Sequence, residues 1–383
     1  MSYQKILIYF VLFSSVFICN ARAGEVGDKK LNQLMTEIGM TMTDIFPLIV
    51  AKRKLSRDEQ SQLKEAVARL STFFKQAKPF IDTKSSSYQV SYDFILEHLA
   101  KTERSFQNNN IAYTRKRLYA LGNICASCHT QDNRLRTLFS SISRQKFQDD
   151  FSFAEFNYIT RDYNQAVKYF DKYLRSDERK TELEIMMPMR RLITINTQIF
   201  DTPGIAAQQL AEYRQLKEHT KKTKKYLEAW IASLKSLRAS RVKAVERVEF
   251  ATLEKYVAKY IGDDDQASAE LFSTPEQEVS RVWLRGQLYH YLNTNPPTEE
   301  VPAILYWLSI CDRSVGYDFY FSLADLYLKQ CVLDHPSHPY AQRCYKEYKD
   351  FIEISYSGSA GTFIPPELED ELSELRQVLK KQN

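Results

Sequence analysis

Apolar residues recur at three- and four-residue steps along most of this chain, the spacing that gathers them on one face of an α-helix. Between residues 31 and 139 the rhythm predicts four amphipathic helices. The first carries Leu31, Leu34, Met35, Ile38, Met42 and Ile45. Pro47 is expected to loosen its end, and Lys52-Arg53-Lys54 closes it with charge suited to a helix C-terminus. The second starts at Ser56 with Glu59 three residues on, a capping box, and turns Leu63, Val67, Leu70, Phe73 and Phe74 inward before an expected stop ahead of Pro79. The third runs from about Val90 to Gln107, with Phe94, Ile95, His98 and Leu99 toward the core, and Asn108-Asn109-Asn110 breaks it. The fourth carries Arg115, Leu118, Leu121 and Ile124 and is expected to continue past Leu135.

Beyond Phe147 the pattern becomes shorter and more aromatic. From Phe153 to Leu174 two helices flank an Arg161-Asp162 turn; Ala154 and Ala166 sit where the helices approach, and Tyr163 and Phe170 fill the gaps. This stretch resembles a tetratricopeptide repeat. Looser copies run from Leu284–Tyr289 through the Pro296-Pro297 loop to Ile304–Leu308, and from Ser322–Leu328 through His335–Pro339 to Tyr340–Tyr345. Ile185 to Phe200 and a long basic segment from Ile205 to Val257 lie between them. Ser355 to Thr362 reads as a loop before a last helix, Pro366 to Lys380. Stacked pairs of this kind form an α-solenoid, an architecture used for protein binding.

Composition agrees with helices. The 383 residues hold only 10 glycines and 12 prolines against 24 tyrosines and 22 phenylalanines, which favours aromatic packing between helices over turn-rich sheets. The net charge of +5 is small for this length and demands no nucleic acid. At the N-terminus, Lys5, the apolar run Ile6 to Cys19 and Ala21-Arg22-Ala23 read as a signal peptide over 1–23, leaving Gly24 as the mature start. That run is too short for a comfortable span, so no transmembrane anchor is expected, and Ile18 before Cys19 argues against a lipoprotein.

The sharpest chemistry is Cys125-Ala126-Ser127-Cys128-His129. C-x-x-C-H is the spacing of covalent haem attachment: two thiols for thioethers and a histidine for the proximal side of the iron. The competing reading is a reactive or disulfide C-x-x-C followed by an unrelated histidine. Because haem of the c type is attached outside the cytoplasm, a signal peptide and this motif point independently to the periplasm.

Four helices with the motif on the last, in Leu121-Gly122-Asn123-Ile124-Cys125-Ala126-Ser127-Cys128-His129, resemble the cytochrome c-prime family. The resemblance implies one haem c held by Cys125 and Cys128, with His129 as the proximal iron ligand. Ungapped from Pro47, the family's variable distal position falls on Met35, in Leu34-Met35-Thr36-Glu37-Ile38-Gly39. The resemblance therefore implies Met35 as a distal ligand; the residues alone leave it equally readable as a flexible core filler. The family's polar group before that position is Lys30-Leu31-Asn32 here, and its aromatic–arginine pair is Asp132-Asn133, so Arg134, Arg115 and Lys30 stand as substitutes near the propionates. His98 reads as a core or surface histidine, with iron ligation as its rival.

The expectation is an all-α chain: a signal peptide (1–23), a cytochrome c-prime-type four-helix bundle (24–145) and an α-solenoid of tetratricopeptide-like hairpins (146–383). Its function is expected to be one-electron transfer by a periplasmic monohaem cytochrome, with the repeat region docking a redox protein partner, and not catalysis by side chains. The rival functions are a nitric oxide or carbon monoxide sensor or carrier, and an interaction scaffold with a structural haem. Lys217 to Lys225 reads as a solvated face or an acidic-partner site, and His335 and His338 as turn residues rather than a metal site. Of the remaining cysteines, Cys331 and Cys344 are placed to bridge one hairpin, or to stay reduced, with Cys311 buried and free.

Overall fold

The structure is a computed structural model, and it describes residues 29–51, 53–81, 86–129, 142–176, 180–216, 219–240, 249–262, 273–315, 323–359 and 361–381. The expected signal peptide and the continuation of the fourth helix past Leu135 lie outside these residues. The described chain is all-α apart from a 3₁₀ turn at Arg144–Lys146, a π turn at Ile195–Ile199 and a small antiparallel hairpin of β1 (Ser357–Gly358) and β2 (Gly361–Thr362). Among the described residues no helix is long and apolar enough to cross a membrane. The chain divides into two compact units, one of Met1–Cys128 with Arg134–Gln148, the other made mostly of Asp149–Asn383.

The first unit holds α1 (residues 29–50), α2 (Arg57–Ile81), α3 (Ser86–Gln107) and, up to Cys128, α4 (Ile111–His129). Along α1 the stripe Leu34, Ile38, Met42, Ile45, Phe46 and Ile49 is buried. Pro79 differs from expectation. Helix α1 continues through Pro47, and α2 passes Pro79 to Ile81. Apolar residues buried on either side, Phe46 and Ile49 in one helix and Ala77 and Ile81 in the other, hold the backbone helical where a lost hydrogen bond alone would favour a break. The capping box forms: the Glu59 amide donates to Ser56 Oγ (3.2 Å) and the Ser56 amide to Glu59 Oε2 (2.8 Å). Arg53 and that amide hold the Glu59 carboxyl down at about 2.

Contacts between the four helices close a ring. Lys30 lies over the Phe80 ring, joining the start of α1 to the end of α2. Phe74 and Tyr92 pack at 5.6 Å, and the Tyr92 hydroxyl donates to the Phe74 carbonyl, joining α2 to α3. His98 meets Arg117, and Ser105 meets Thr114 at 3.0 Å, joining α3 to α4. Phe46 packs on Tyr119 at 6.4 Å, joining α4 to α1. In every pair the start of one helix meets the end of the next, so the four run alternately up and down.

The second unit begins with α5 (Asp150–Ile159) and α6 (Tyr163–Arg175), two helices packed back to back. Arg161 takes a positive φ of 66° in the turn, Asp162 caps α6, and Ala154, Ala166 and Phe170 are fully buried where the helices meet. Then follow α7 (Glu182–Thr194), α8 (Pro203–Leu216), α9 (Lys221–Ser240), α10 (Phe250–Tyr260), α11 (Pro275–Leu292), α12 (Val301–Val315), α13 (Ala324–Asp334), α14 (Pro339–Ser355) and α15 (Pro366–Lys380). Helices α8 and α9, α11 and α12, α12 and α13, and α13 and α14 pack as neighbours. Gly286 of α11 lies so close to the π turn that a Cβ there would stand 2.8 Å from Gln198 Cγ. Buried ion pairs tie distant helices: Arg191 to Glu155 (3.0 Å), Arg190 to Glu278 (2.7 Å), Arg285 to Asp312 (2.9 Å) and Arg313 to Glu347 (2.7 Å). A disulfide joins Cys331 to Cys344 across α13 and α14, and Cys311 is free and buried.

Candidate functional site

Helix α4 buries Thr114, Leu118 and Leu121 on one face, with Ile124 beside it. At 100° per residue, Cys125, Cys128 and His129 fall within an arc of about 100° that continues this same face. The backbone is helical through His129; the side chains of Cys125, Cys128 and His129 lie outside what the structure describes. One helix thus brings two thiol positions and an imidazole position to one edge about 6 Å long, on the side that the preceding turns bury. That donor set, placed in that way, fits a covalently attached haem.

The facing helix is α1. The Phe46–Tyr119 contact sets the antiparallel register, and Arg115 extends it: its guanidinium donates to the carbonyls of Ile49 (3.1 Å), Ala51 and Arg53 (3.3 Å). Met35 lies eleven residues before Phe46 and Cys128 nine after Tyr119, so at 1.5 Å per residue the two positions differ in height by only about 3 Å. Met35 is half-buried and continues the stripe of Ile38, Met42 and Ile45. On α2 the Lys30–Phe80 contact brings residues near Phe74 to this height, and Phe74 carries Tyr92 with it. By helical rise, the apolar stripe of α1, the Met35 position and the Phe74–Tyr92 pair stand at the height of the motif. Tyr92 had gone unremarked in the sequence, although its spacing to Ile95 and Leu99 places it on the same buried stripe.

Two other residues stand elsewhere. Arg115 was considered near the propionates; instead it caps the carbonyl end of α1, ten residues, or about 15 Å, from Cys125. The carbonyls left open at a helix C-terminus attract a guanidinium, which accounts for that placement. His98 is 2 % exposed, and its Nε2 donates to the Arg117 carbonyl at 2.7 Å, eleven residues along α4 from Cys128. Arg117 in turn donates to the His98 carbonyl (2.9 Å) and Thr102 Oγ1 (3.1 Å). Burial first, and the Arg117 charge second, bring the His98 imidazole down to about 4, so it is neutral at neutral pH. His98 is a satisfied core histidine. Lys30 remains at the motif end of α1, whereas Arg134 lies outside the described residues.

Among the described residues of the second unit no comparable chemistry gathers. Among the described residues no group of three or more His, Cys, Asp or Glu is arranged to hold a metal ion. His338 caps α14, with Nδ1 accepting from the Tyr340 amide at 3.2 Å, and stacks on Tyr340. Burial pushes the Cys311 thiol up to about 12, which leaves it protonated and unreactive. Lys221, Lys222, Lys224 and Lys225 are exposed on the first turns of α9, with Lys222 3.4 Å from Glu182. No family model, curated protein or solved structure matches the chain.

Proposed function

We propose that this chain is an exported monohaem c-type cytochrome that transfers single electrons, built as a cytochrome c-prime-like four-helix bundle followed by a tetratricopeptide-like array that docks its redox partner. The observation that carries this reading is the position of Cys125-Ala126-Ser127-Cys128-His129 at the end of the buried face of α4, level with Met35 on the antiparallel α1. Cys125 and Cys128 would hold the haem by thioethers, and His129 and Met35 would bind its iron. When bound, the haem supplies one-electron redox chemistry, and histidine–methionine ligation favours a high potential and outer-sphere transfer.

The chain's own residues do the rest. Leu118, Leu121, Leu34 and Ile38 exclude water from the face on which the motif lies, and low local polarity favours the iron state of lower charge. Helix α4 is held in register by Phe46, Arg115 and His98, so the thiols and imidazole start from a fixed backbone. The Cys331–Cys344 disulfide supports an oxidising compartment, in keeping with export.

The test is the optical spectrum of the purified, reduced protein with and without carbon monoxide. A low-spin spectrum unchanged by carbon monoxide in the wild type, and ready carbon monoxide binding in Met35→Ala, are expected. Ready binding by the wild type would overturn the distal role of Met35 and favour a gas-binding protein.

A further inference from the structure

Helix α9 packs one face on its neighbours and turns the other to solvent. Thr223, Leu227, Trp230, Leu234 and Leu237 are buried, whereas Lys221, Lys224, Lys225, Glu228 and Lys235 are exposed. At 100° per residue those five exposed positions fall within an arc of about 100°, and at 1.5 Å per residue they run along about 21 Å of the helix. The one acid of α9, Glu228, is already paired with Arg214 of α8 at 3.1 Å. Lys222, just off the stripe, reaches Glu182 of α7 at 3.4 Å. Among the described residues, Lys221, Lys224, Lys225 and Lys235 have no carboxylate at ion-pair distance.

Folding does not ask for this arrangement. The first turn of α9 holds no acid, where that of α7 carries Glu182 and Glu184 and that of α11 carries Glu276 and Glu278. Cations at a helix N-terminus oppose the macrodipole, and Lys221 repels Lys224 and Lys225 at three- and four-residue spacing. The stripe therefore costs the free protein stability, and an anionic surface laid along it removes that cost. We propose that the lysine stripe of α9 is a docking surface for an acidic protein, one that presents a row of carboxylates about 20 Å long. An anionic membrane fits less well: among the described residues Ala232 is the only apolar side chain on the stripe, so nothing there enters lipid. Lysines are strongly hydrated point charges, which speed encounter and let a partner leave again, as transient docking needs. That the partner is a redox protein rests on the function proposed above; that it is acidic rests on the stripe.

The test measures binding of a fluorescently labelled oligoglutamate to the full-length protein by anisotropy, at low and at physiological ionic strength. Three proteins are compared: wild type, Lys221→Gln with Lys224→Gln and Lys225→Gln, and a control with the same charge change at exposed lysines outside α9, Lys255→Gln with Lys346→Gln and Lys380→Gln. Wild type is expected to bind, and more weakly as salt rises; the α9 variant is expected to bind about tenfold more weakly, and the control within about twofold of wild type. In denaturant unfolding the α9 variant is expected to be the more stable, by about threefold in the folding equilibrium, so binding and stability move in opposite directions. Equal losses in the two variants, or a less stable α9 variant, would overturn the proposal. So would vesicles of phosphatidylglycerol and phosphatidylcholine that bind wild type where oligoglutamate does not, a result that assigns the stripe to a membrane. Neither readout involves haem, so failure here leaves the cytochrome reading standing, and failure of the carbon monoxide test leaves the stripe standing.

Discussion

The first unit carries aliphatic stripes and an aromatic pair at the level of its motif, whereas the second runs arginine–carboxylate pairs through its interior and closes one hairpin with a disulfide. The difference follows from what each unit has to hold. Four long helices in alternating directions bury enough apolar surface to be specified by their stripes, and the motif stands at the end of the last. Short helices, such as the ten residues of α5 and the eleven of α13, bury less each; pairs such as Arg190 with Glu278, also held by Trp230 Nε1 at 3.0 Å, fix which helix packs on which. Buried pairs add little net stability but penalise wrong pairings strongly, because a misplaced helix strands a charge. Among the described residues, the motif stands in one unit and the buried arginine–carboxylate pairs in the other.

The largest effect should come from Cys125→Ser with Cys128→Ser. Covalent haem is expected to vanish completely, while tryptophan-monitored unfolding of the second unit stays within error of the wild type. Loss of both signals together would break the division between the units. Next, Met35→Ala should lower the reduction potential by on the order of 100 mV and open the iron to carbon monoxide. An unchanged potential in spectroelectrochemical titration would make Met35 a core residue only.

A smaller effect is expected when the disulfide is removed. Cys331→Ser with Cys344→Ser should cost the second unit about 2–4 kcal/mol in denaturant unfolding and leave the haem spectrum unaltered. The smallest is an effect of acid. The imidazole of His98 is depressed to about 4, so the unfolded chain binds its proton first as pH falls below the ordinary value of 6.5. Its contribution to stability is present at neutral pH and is lost between about pH 6.5 and 4. Hydrogen exchange of the α3 and α4 amides should therefore accelerate on acidification beyond its intrinsic pH dependence, and less so in His98→Gln.

Local signals were legible before the structure. The Ser56–Glu59 box, the Asn108–Asn110 break, the Arg161-Asp162 turn, the bounds of α15 and the hairpin that lets Cys331 reach Cys344 all follow from residues close together in the chain. So does the placement of Cys125, Cys128 and His129 on one face, which needs only helical spacing. What escaped was set by distant partners. Pro79 read locally as a break, but packing on both sides keeps it helical. Arg115 read as a binding residue because its neighbour in space, the open end of α1, lies more than sixty positions away. Arg190 and Glu278 are 88 residues apart, and nothing in either segment names the other.

The most direct test is the mass and pyridine haemochrome spectrum of the mature protein, produced by export in a host that attaches haem c. One haem per chain joined through two thioethers, lost when Cys125 and Cys128 are replaced, is the expected result. A polypeptide of bare mass, with Cys125 and Cys128 joined to each other as a disulfide, would contradict it.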